Sequence, residues 1–222
     1  MSVPKTSVEN AGPAPARKRV RLNTAVRRQQ ILDAALIEFT ALGFTAASIA
    51  KIASRAGTSK ANLYVHFENK DEIFETLLKD VLQPALGAWQ LPPVGSSIES
   101  ALDDFIDQRY ADMTPRMVSI MKLLISESHR VPDLIRRWQD ETVLPAHREQ
   151  QAVIDGYVAS GVLQKTPLTD NFSFISVPIL YAVICKIIFT PEVAEAECLK
   201  TKETHRQLIQ LLLKAHLPAR GA

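Results

Sequence analysis

The stretch GTSKANLYVHFENK, residues 57–70, decides how the fold of this chain is interpreted. Glycine and small polar residues at its start predict a tight turn, and the residues that follow favour a short helix. Along that helix, Leu63 and Phe67 alternate with Tyr64 and His66. This mixture predicts a helix that packs one face on a core and leaves another face free for contacts.

A second short helix precedes the turn. Residues 48–55 have helical character, and Ser48 is a good N-terminal cap. Two short helices joined by a turn that contains glycine form a helix-turn-helix, whose second helix lies in the major groove of DNA. In that helix, Ser59 and Asn62 can bond to phosphates or bases, and Lys60 is long enough to reach a guanine edge or a phosphate.

The charge of the chain is divided unevenly. Residues 1–70 carry 11 lysines and arginines against 4 aspartates and glutamates, whereas residues 71–222 carry 15 against 20. The basic N-terminal part therefore favours a polyanion as its partner. Lys70 opens the next helix, where its charge and the helix N-terminus would both favour a phosphate. Residues 1–22 predict a flexible basic arm, which is either a solvated tail or a segment that reaches the phosphate backbone or minor groove of DNA.

Helical periodicity continues along the chain, without an alternating strand pattern longer than a few residues. We expect an all-α protein of about nine helices, with a helix-turn-helix domain over residues 23–69 and a helical domain over residues 70–222. Cap and breaker residues predict several helix ends. Gly43 should stop the first helix in a left-handed conformation, Asp170 should cap the eighth helix, and Pro145 should kink the long seventh helix.

Several classes of protein are disfavoured by the sequence. It has no apolar run of 18 residues or more and no apolar region near residue 1, which predicts no membrane partner, no signal peptide and a cytoplasmic location. Cys185 and Cys198 match neither a disulfide framework nor a zinc site. No HExxH, GxSxG or Walker motif is found, so we expect no catalytic residues, no cofactor and no metal. The acidic cluster Asp103, Asp104 and Asp107 keeps a helical enzyme as an alternative, although a solvated face accounts for it more simply.

The span from Arg27 to Phe74 resembles the DNA-binding domain of TetR-family transcriptional regulators. The matching runs are ILDAALIEFTALGF and SIAKIASRAGTSKANLYVHFENKDEIF. The resemblance implies a homodimer that binds a palindromic operator, most often as a repressor, with an effector-binding domain after the helix-turn-helix. The later segment from SESHRVPDLIRRW to VASGVL resembles AcrR-like members, which commonly respond to lipophilic or aromatic compounds. A DNA-binding protein without a small-molecule switch, such as an architectural or replication-linked factor, remains an alternative.

The resemblance also implies which residues contact DNA. The base-facing positions of the recognition helix fall on Lys60, Ala61 and Asn62, and Ser59 precedes them. Positions that contact the DNA backbone fall on Ser48, Tyr64, His66 and Lys70, and Arg27 is added to this set. The chain departs from the family at Thr58, where valine is commoner, and at Ala50, where some members carry a basic residue that reads a base.

The resemblance places an effector pocket between helices four and eight and a dimer interface on the last two helices. Candidate pocket residues are Trp89, Phe105, Met117, Met121, His129, Trp138, Tyr157 and Phe174. Candidate dimer residues are Ile179, Leu180, Val183, Ile187, Leu208, Leu211 and Leu212. Both groups are also compatible with ordinary core packing within one chain.

Overall fold

The computed structural model describes residues 23–86 and 98–214, and every regular element in these two ranges is helical. The predicted all-α class is confirmed. The α-helices are α1 (Thr24–Ala46), α2 (Ile49–Arg55), α3 (Lys60–His66), α4 (Lys70–Leu86), α5 (Ile98–Ala111), α6 (Pro115–Glu127), α7 (Pro132–Trp138), α8 (Leu144–Ala159), α9 (Pro167–Asp170), α10 (Val177–Ile188) and α11 (Pro191–Lys214).

Side-chain caps begin the first helices where the sequence predicts them. Asn23 accepts a hydrogen bond from the backbone N–H of Ala25, and Ser48 accepts one from Lys51, so α1 and α2 each start with a satisfied donor. Gly57, in the turn before α3, has a φ of 63°, a conformation that glycine adopts at little cost. The predicted turn between α2 and α3 is therefore present.

An aromatic cluster forms the centre of the N-terminal core. The ring centroids of Phe39 and Phe44 in α1 lie 5.3 Å apart, and Phe74 of α4 lies 5.9 Å from the first and 4.9 Å from the second. Leu63 and Phe67, from the recognition helix and its end, are also fully buried. Helix α4 thus joins the core of the helix-turn-helix and also packs on α6 and α7.

The end of α1 differs from the prediction in its geometry. Gly43 breaks the helix as expected, but with φ 78° and ψ 159°. This is an extended conformation with positive φ, which is essentially restricted to glycine, rather than the predicted left-handed helical one. The chain resumes one helical turn to Ala46 before α2 begins. The Glu127 carboxylate of α6 lies against this break.

The predicted long seventh helix is divided. Between α7 and α8 the residues Gln139–Val143 form one wide π-helical turn. Pro145 has no N–H and its ring would clash with the carbonyl four residues earlier in a regular α-helix. The wider turn directly before Pro145 removes that clash, so the chain changes its helical pitch there.

Asp170 does not cap the following long helix, so that prediction is wrong. Thr166 caps the short α9 instead, through a reciprocal pair of hydrogen bonds with Thr169. A 3₁₀ segment, Phe172–Ser176, comes next, and α10 begins only at Val177. Pro178 explains this start, because proline is tolerated in the first turn of a helix and disfavoured further inside.

Helix α10 has apolar residues on two sides, one covered by the chain's own core and the other exposed. The predicted dimer residues of α10 are divided between these two sides. Ile179 and Val183 are buried in the chain's own core, so their assignment to a dimer surface is corrected. Ile187 is half-buried, and the side chain of Leu212 lies outside the described residues. The exposed large apolar residues of α10 and α11 are Val177, Leu180, Tyr181, Ile184, Ile188, Val193, Leu199, Leu208 and Leu211.

Candidate DNA-binding interface

The recognition helix α3 is held by its buried side. The hydroxyl of Ser59 accepts a hydrogen bond from the backbone N–H of Asn62 at 3.1 Å. The Asn62 amide in turn donates to the hydroxyl of Thr58 at 2.8 Å. Leu63 is fully buried, whereas Lys60 is exposed. The helix therefore presents a polar N-terminal half whose backbone position is locked by the turn before it.

Charged groups fix the two short helices to α1. The carboxylate of Glu38, buried in α1, pairs with the guanidinium of Arg55 at the end of α2 at 2.7 Å. The guanidinium of Arg28 stacks 4.6 Å from the ring of Phe67 and donates to Thr76. These contacts orient α2 and α3 relative to α1, and sequence patterns did not indicate them because each joins distant parts of the chain.

Arg27, a predicted contact to the DNA backbone, also binds within the protein. Its Nη1 donates to the carbonyl oxygen of Ala56 at the end of α2, at 3.1 Å. That bond satisfies a carbonyl at the helix C-terminus and places the guanidinium beside the turn. A contact from Arg27 to DNA stays a prediction.

Lys70 requires a correction. Its ammonium donates to the carbonyl oxygens of Phe44 at 2.7 Å, Thr45 at 3.1 Å and Ala47 at 3.0 Å, and it lies 4.6 Å from the centre of the Phe44 ring. Burial lowers the pKa of this group from its ordinary value, with a smaller opposing effect from Asp71. An ammonium has three N–H donors, and all three are used here. The side chain of Lys70 thus holds the segment between α1 and α2 and does not point to a DNA phosphate.

The remaining predicted contact residues lie on the outer side of the helix-turn-helix. Ala61 and Tyr64 are exposed on α3, and the ammonium of Lys60 lies 5.8 Å from the centre of the Tyr64 ring. His66 and Ser48 are half-buried, and the Ser48 hydroxyl is used as the cap of α2. The structure therefore brings these residues onto two adjoining helices, and their roles toward DNA stay predictions.

Glu127, which the sequence did not indicate, links α6 to the end of α1. Its carboxylate is 5% exposed, accepts the backbone N–H of Phe44 at 3.1 Å and pairs with Arg130 at 3.0 Å. A Cβ atom at Gly43 would lie only 2.9 Å from this carboxylate, and the positive φ of Gly43 is itself strained for any other residue. No local pattern could indicate this contact, because 83 residues separate its partners.

Ion pairs make a second connection between the two parts of the chain. Arg116 of α6 pairs with Asp33 of α1. Arg137 of α7 pairs with Glu75 of α4 at 2.9 Å and with Asp71 at 3.6 Å. Helices α6 and α7 thus hold both α1 and α4, which carry the helix-turn-helix. The position of the recognition helix depends on how these elements pack.

The predicted pocket residues lie in different environments. Phe105 and Met117 are buried, whereas Met121, Trp138 and Tyr157 are half-buried. His129 is exposed and Phe174 is 61% exposed, so neither fits the wall of a closed pocket and both assignments are corrected. Trp89 lies outside the described residues.

Among the described residues, Nε1 of Trp138 is buried without a hydrogen-bond partner, and Nε2 of His205 is buried without a hydrogen bond of normal geometry, although the Ile175 backbone lies near the His205 ring. The other ring nitrogen of His205 lies 3.5 Å from the hydroxyl of Tyr110. Burial lowers the pKa of His205 to about 4, so the ring is neutral at pH 7. Burial also raises the pKa of Tyr110.

The acidic cluster on α5 has a structural role. Asp107 pairs with Lys202 of α11 at 2.9 Å, and Asp103 pairs with Arg206 at 3.3 Å. Across residues 23–86 and 98–214, no three histidine, cysteine, aspartate or glutamate side chains are grouped so that they could hold a metal. No helix in those ranges is long and apolar enough to cross a membrane.

These features define a helix-turn-helix, the kind of motif that binds DNA, followed by a helical second part of the chain. The sequence profile described as "Bacterial regulatory proteins, tetR family" matches residues 31–77. The helix-turn-helix part of this chain thus matches the TetR family, as the resemblance implied, and the curated relatives that it matches are named as transcriptional regulators or repressors.

Two curated relatives illustrate how far the similarity extends. The HTH-type nicotine-responsive transcriptional repressor HdnoR of Paenarthrobacter nicotinovorans is 41% identical over 64 residues, which cover 29% of this chain and 33% of that protein. The HTH-type transcriptional regulator BetI of Cronobacter sakazakii is 31% identical over 90 residues, covering 39% and 45%. The chain therefore matches less than half the length of these relatives.

The fold extends further than the sequence similarity. The crystal structure of a TetR family transcriptional regulator from Pseudomonas syringae pv. tomato superposes with a TM-score of 0.58 at 20% identity. The match covers 80% of this chain and 94% of that chain. The similarity of the fold thus extends well beyond the residues that the sequence comparisons match.

Proposed function

We propose that this protein is a transcriptional repressor that binds a palindromic operator as a homodimer and leaves it when a small lipophilic effector binds. The observation that carries the proposal is the outer face of α3. Lys60, Ala61 and Tyr64 are exposed there, while Leu63 anchors the opposite face in the core. A short helix held in this way fits the major groove, where lysine and asparagine side chains read base edges.

Residues beside the recognition helix are assigned to the DNA backbone in this proposal. Ser48 begins α2, and Tyr64 and His66 lie on the second half of α3. Hydroxyl and imidazole groups at such positions bond to phosphate oxygens and fix the register of the protein on the duplex. The basic charge of residues 1–70 supports the same partner.

A second copy of the chain is the proposed partner of the exposed apolar face of α10 and α11. Leu180, Ile184 and Ile188 recur every four residues on α10, so they form one stripe along that helix. Leu199 and Leu211 extend the apolar surface onto α11. Exposed patches of this kind mark interaction surfaces, and a twofold arrangement would present two recognition helices to the two halves of a palindrome.

The link between effector and DNA is assigned to the contacts of α6 and α7. Glu127 bonds to the backbone just after the Gly43 break, and Arg137 pairs with α4. A change in α6 or α7 would therefore shift α1 and α4, and with them the separation of the two recognition helices. An effector that prefers one separation while the operator prefers another shifts the population of states.

The proposed effector site uses candidate side chains from α5, α6 and α7. The buried Phe105 and Met117 and the half-buried Met121 are apolar, and the unpartnered indole N–H of Trp138 is a donor for a polar group. Such a combination suits a lipophilic molecule with one acceptor. The curated relative from Paenarthrobacter is named for its response to nicotine, which is consistent with a small organic effector.

Selection of DNA from a random pool, followed by fluorescence anisotropy, tests the proposal. We expect one palindromic sequence to be enriched and bound by two chains, with an affinity that falls steeply as salt is raised. Random DNA of equal length serves as the control. Equal and weak binding to the enriched and random DNA would contradict a sequence-specific repressor. Lipophilic compounds are then screened for release of the bound operator.

A further inference from the structure

Val65 on the recognition helix is the most exposed large apolar side chain in the described ranges, at 77%. It follows Tyr64 in α3 and was not among the residues that the sequence assigned to DNA. Burying an exposed apolar side chain is favourable, and a helix that faces water normally carries polar residues on its outer side. Two methyl groups held outward on this helix therefore suggest a contact with something outside the chain.

The helical repeat places Val65 on the side opposite the core. Each residue advances about 100° around an α-helix, so Val65 lies roughly 200° from the fully buried Leu63. Ala61 lies one turn earlier and is also exposed, so the two residues share one strip of the surface. The small side chain of Ala61 allows a partner to approach the helix closely beside Val65.

The surroundings of Val65 favour DNA as that partner. The Lys60 ammonium lies 5.8 Å from the centre of the neighbouring Tyr64 ring, so a cationic and an aromatic group flank the apolar strip. Lys51 of the adjoining helix α2 is also exposed, and residues 1–70 are strongly basic. A protein partner with an apolar surface would not require this excess of positive charge, whereas a polyanion would.

Only one base carries an apolar group into the major groove. The C5-methyl group of thymine projects there, and apolar side chains recognise it by direct contact. We propose that Val65 is a specificity-determining residue that contacts the 5-methyl group of a thymine in each operator half-site, with Ala61 allowing the close approach. This inference rests on the proposed function, because it requires that α3 enters the major groove.

Replacing thymine by deoxyuridine tests the contact directly, because the change removes the methyl group and leaves base pairing intact. The probe is the operator enriched from the random pool, resynthesised with deoxyuridine at one symmetric pair of thymines at a time. At one of these pairs we expect the affinity of the wild-type protein to fall about 15-fold. Each half-site contributes a factor of about four, which corresponds to the loss of one buried methyl group.

The Val65→Ala variant completes a double-mutant cycle. It should bind the thymine operator less tightly than the wild type and should show no further loss on the deoxyuridine operator at that pair. Val162→Ala is the matched control, because Val162 is also exposed, at 41%, and lies on the turn after α8. Circular dichroism should give equal helical content for all three proteins, since both valines are outside the core.

The negative results distinguish a failure of the inference about Val65 from a failure of the proposed function. If the wild type binds its operator equally well with deoxyuridine at every position, the inference about Val65 is overturned and the proposed function stands. The same conclusion follows if Val65→Ala weakens binding to both operators by the same factor, since the valine would then not contact the methyl group. If no DNA sequence is enriched, the proposed function itself fails, and the inference fails with it.

Discussion

Two lysines of one motif have opposite environments, although they are only ten residues apart. Lys60 is exposed at the start of the recognition helix, with its ammonium near the ring of Tyr64. Lys70 donates to three backbone carbonyl oxygens and is partly buried. The hydrogen-bond partners of Lys70 assign its ammonium to the protein, whereas a contact from Lys60 to DNA stays a prediction.

The base-reading assignment predicts a change in specificity. Lys60→Ala and Asn62→Ala should each reduce affinity for the selected operator by about 1–3 kcal/mol and relax preference at one base position. Anisotropy against operators with single base-pair changes measures this. Lys165→Ala, a change at an exposed residue far from α3, is the control and should leave the preference unaltered. An unchanged preference in both variants would contradict the assignment.

Lys70→Met should act on stability rather than on DNA binding. The change leaves three carbonyl oxygens without their charged donor, which we expect to lower the free energy of unfolding by about 2–4 kcal/mol. The salt dependence of operator binding should be retained under conditions where the variant is folded. Urea unfolding and a salt series measure the two quantities, with Lys60→Met as the control that leaves stability nearly unchanged. If instead the stability is unchanged and the slope of log affinity against log salt concentration is smaller in magnitude by about one, Lys70 contacts a phosphate.

Because the His205 side chain is buried, we expect the free energy of unfolding to fall in acid. Because its pKa is about 4 in the folded chain and 6.5 in the unfolded chain, the unfolded state binds more protons between these values. The free energy of unfolding should therefore fall as pH is lowered from 6.5 to about 4, by on the order of 2 kcal/mol. The comparison with His205→Gln, measured by urea unfolding across this range, isolates the effect. Parallel curves for the two proteins would exclude it.

At the scale of elements, the break in α1 is shaped by a helix far away in the sequence. Gly43 takes its positive φ and extended ψ where the Glu127 carboxylate of α6 approaches the backbone. The Phe44 N–H that follows the break is satisfied by that carboxylate. The junction therefore combines a conformation that only glycine tolerates with a buried charge that has two partners.

Substitutions at Glu127 separate the two interactions of its carboxylate. Glu127→Gln keeps an acceptor for the Phe44 N–H and loses the ion pair with the half-exposed Arg130, so the loss of stability should be under about 1 kcal/mol. Glu127→Ala leaves a buried N–H unsatisfied and should cost about 1–3 kcal/mol more. Urea unfolding measures both. Equal losses in the two variants would show that the hydrogen bond to Phe44 contributes little.

At the scale of the whole molecule, α11 has two faces with different partners. One face is held to α5 by ion pairs from Lys202 and Arg206. Leu199 and Leu208 are exposed on α11, beside the apolar stripe of α10. The ion pairs hold α11 in place, and its exposed apolar residues are the ones that a second chain would cover in the proposed homodimer.

A charge placed in this apolar surface should prevent dimer formation. Ile188→Asp puts a carboxylate at a residue that is 67% exposed in the single chain, so the fold should survive while the dimer dissociates. Sedimentation velocity should show a monomer, and operator affinity should fall because only one half-site is held. Ile125→Asp, a similar change at 56% exposure on α6, should remain a dimer. A dimeric Ile188→Asp variant would place the interface elsewhere.

The sequence by itself determined the helical class, the helix-turn-helix and the outward position of Lys60, Ala61 and Tyr64. These features depend on caps, turns and apolar spacing within a few residues of one another, as at Ser48, Gly57 and Ser59. The tertiary structure alone decided that the Lys70 side chain faces inward and that α6 reaches Gly43 through Glu127. It also decided which side of α10 is covered by the chain itself. Each of these depends on contacts between segments far apart in the chain, and local periodicity does not encode which partner a charged or apolar side chain meets.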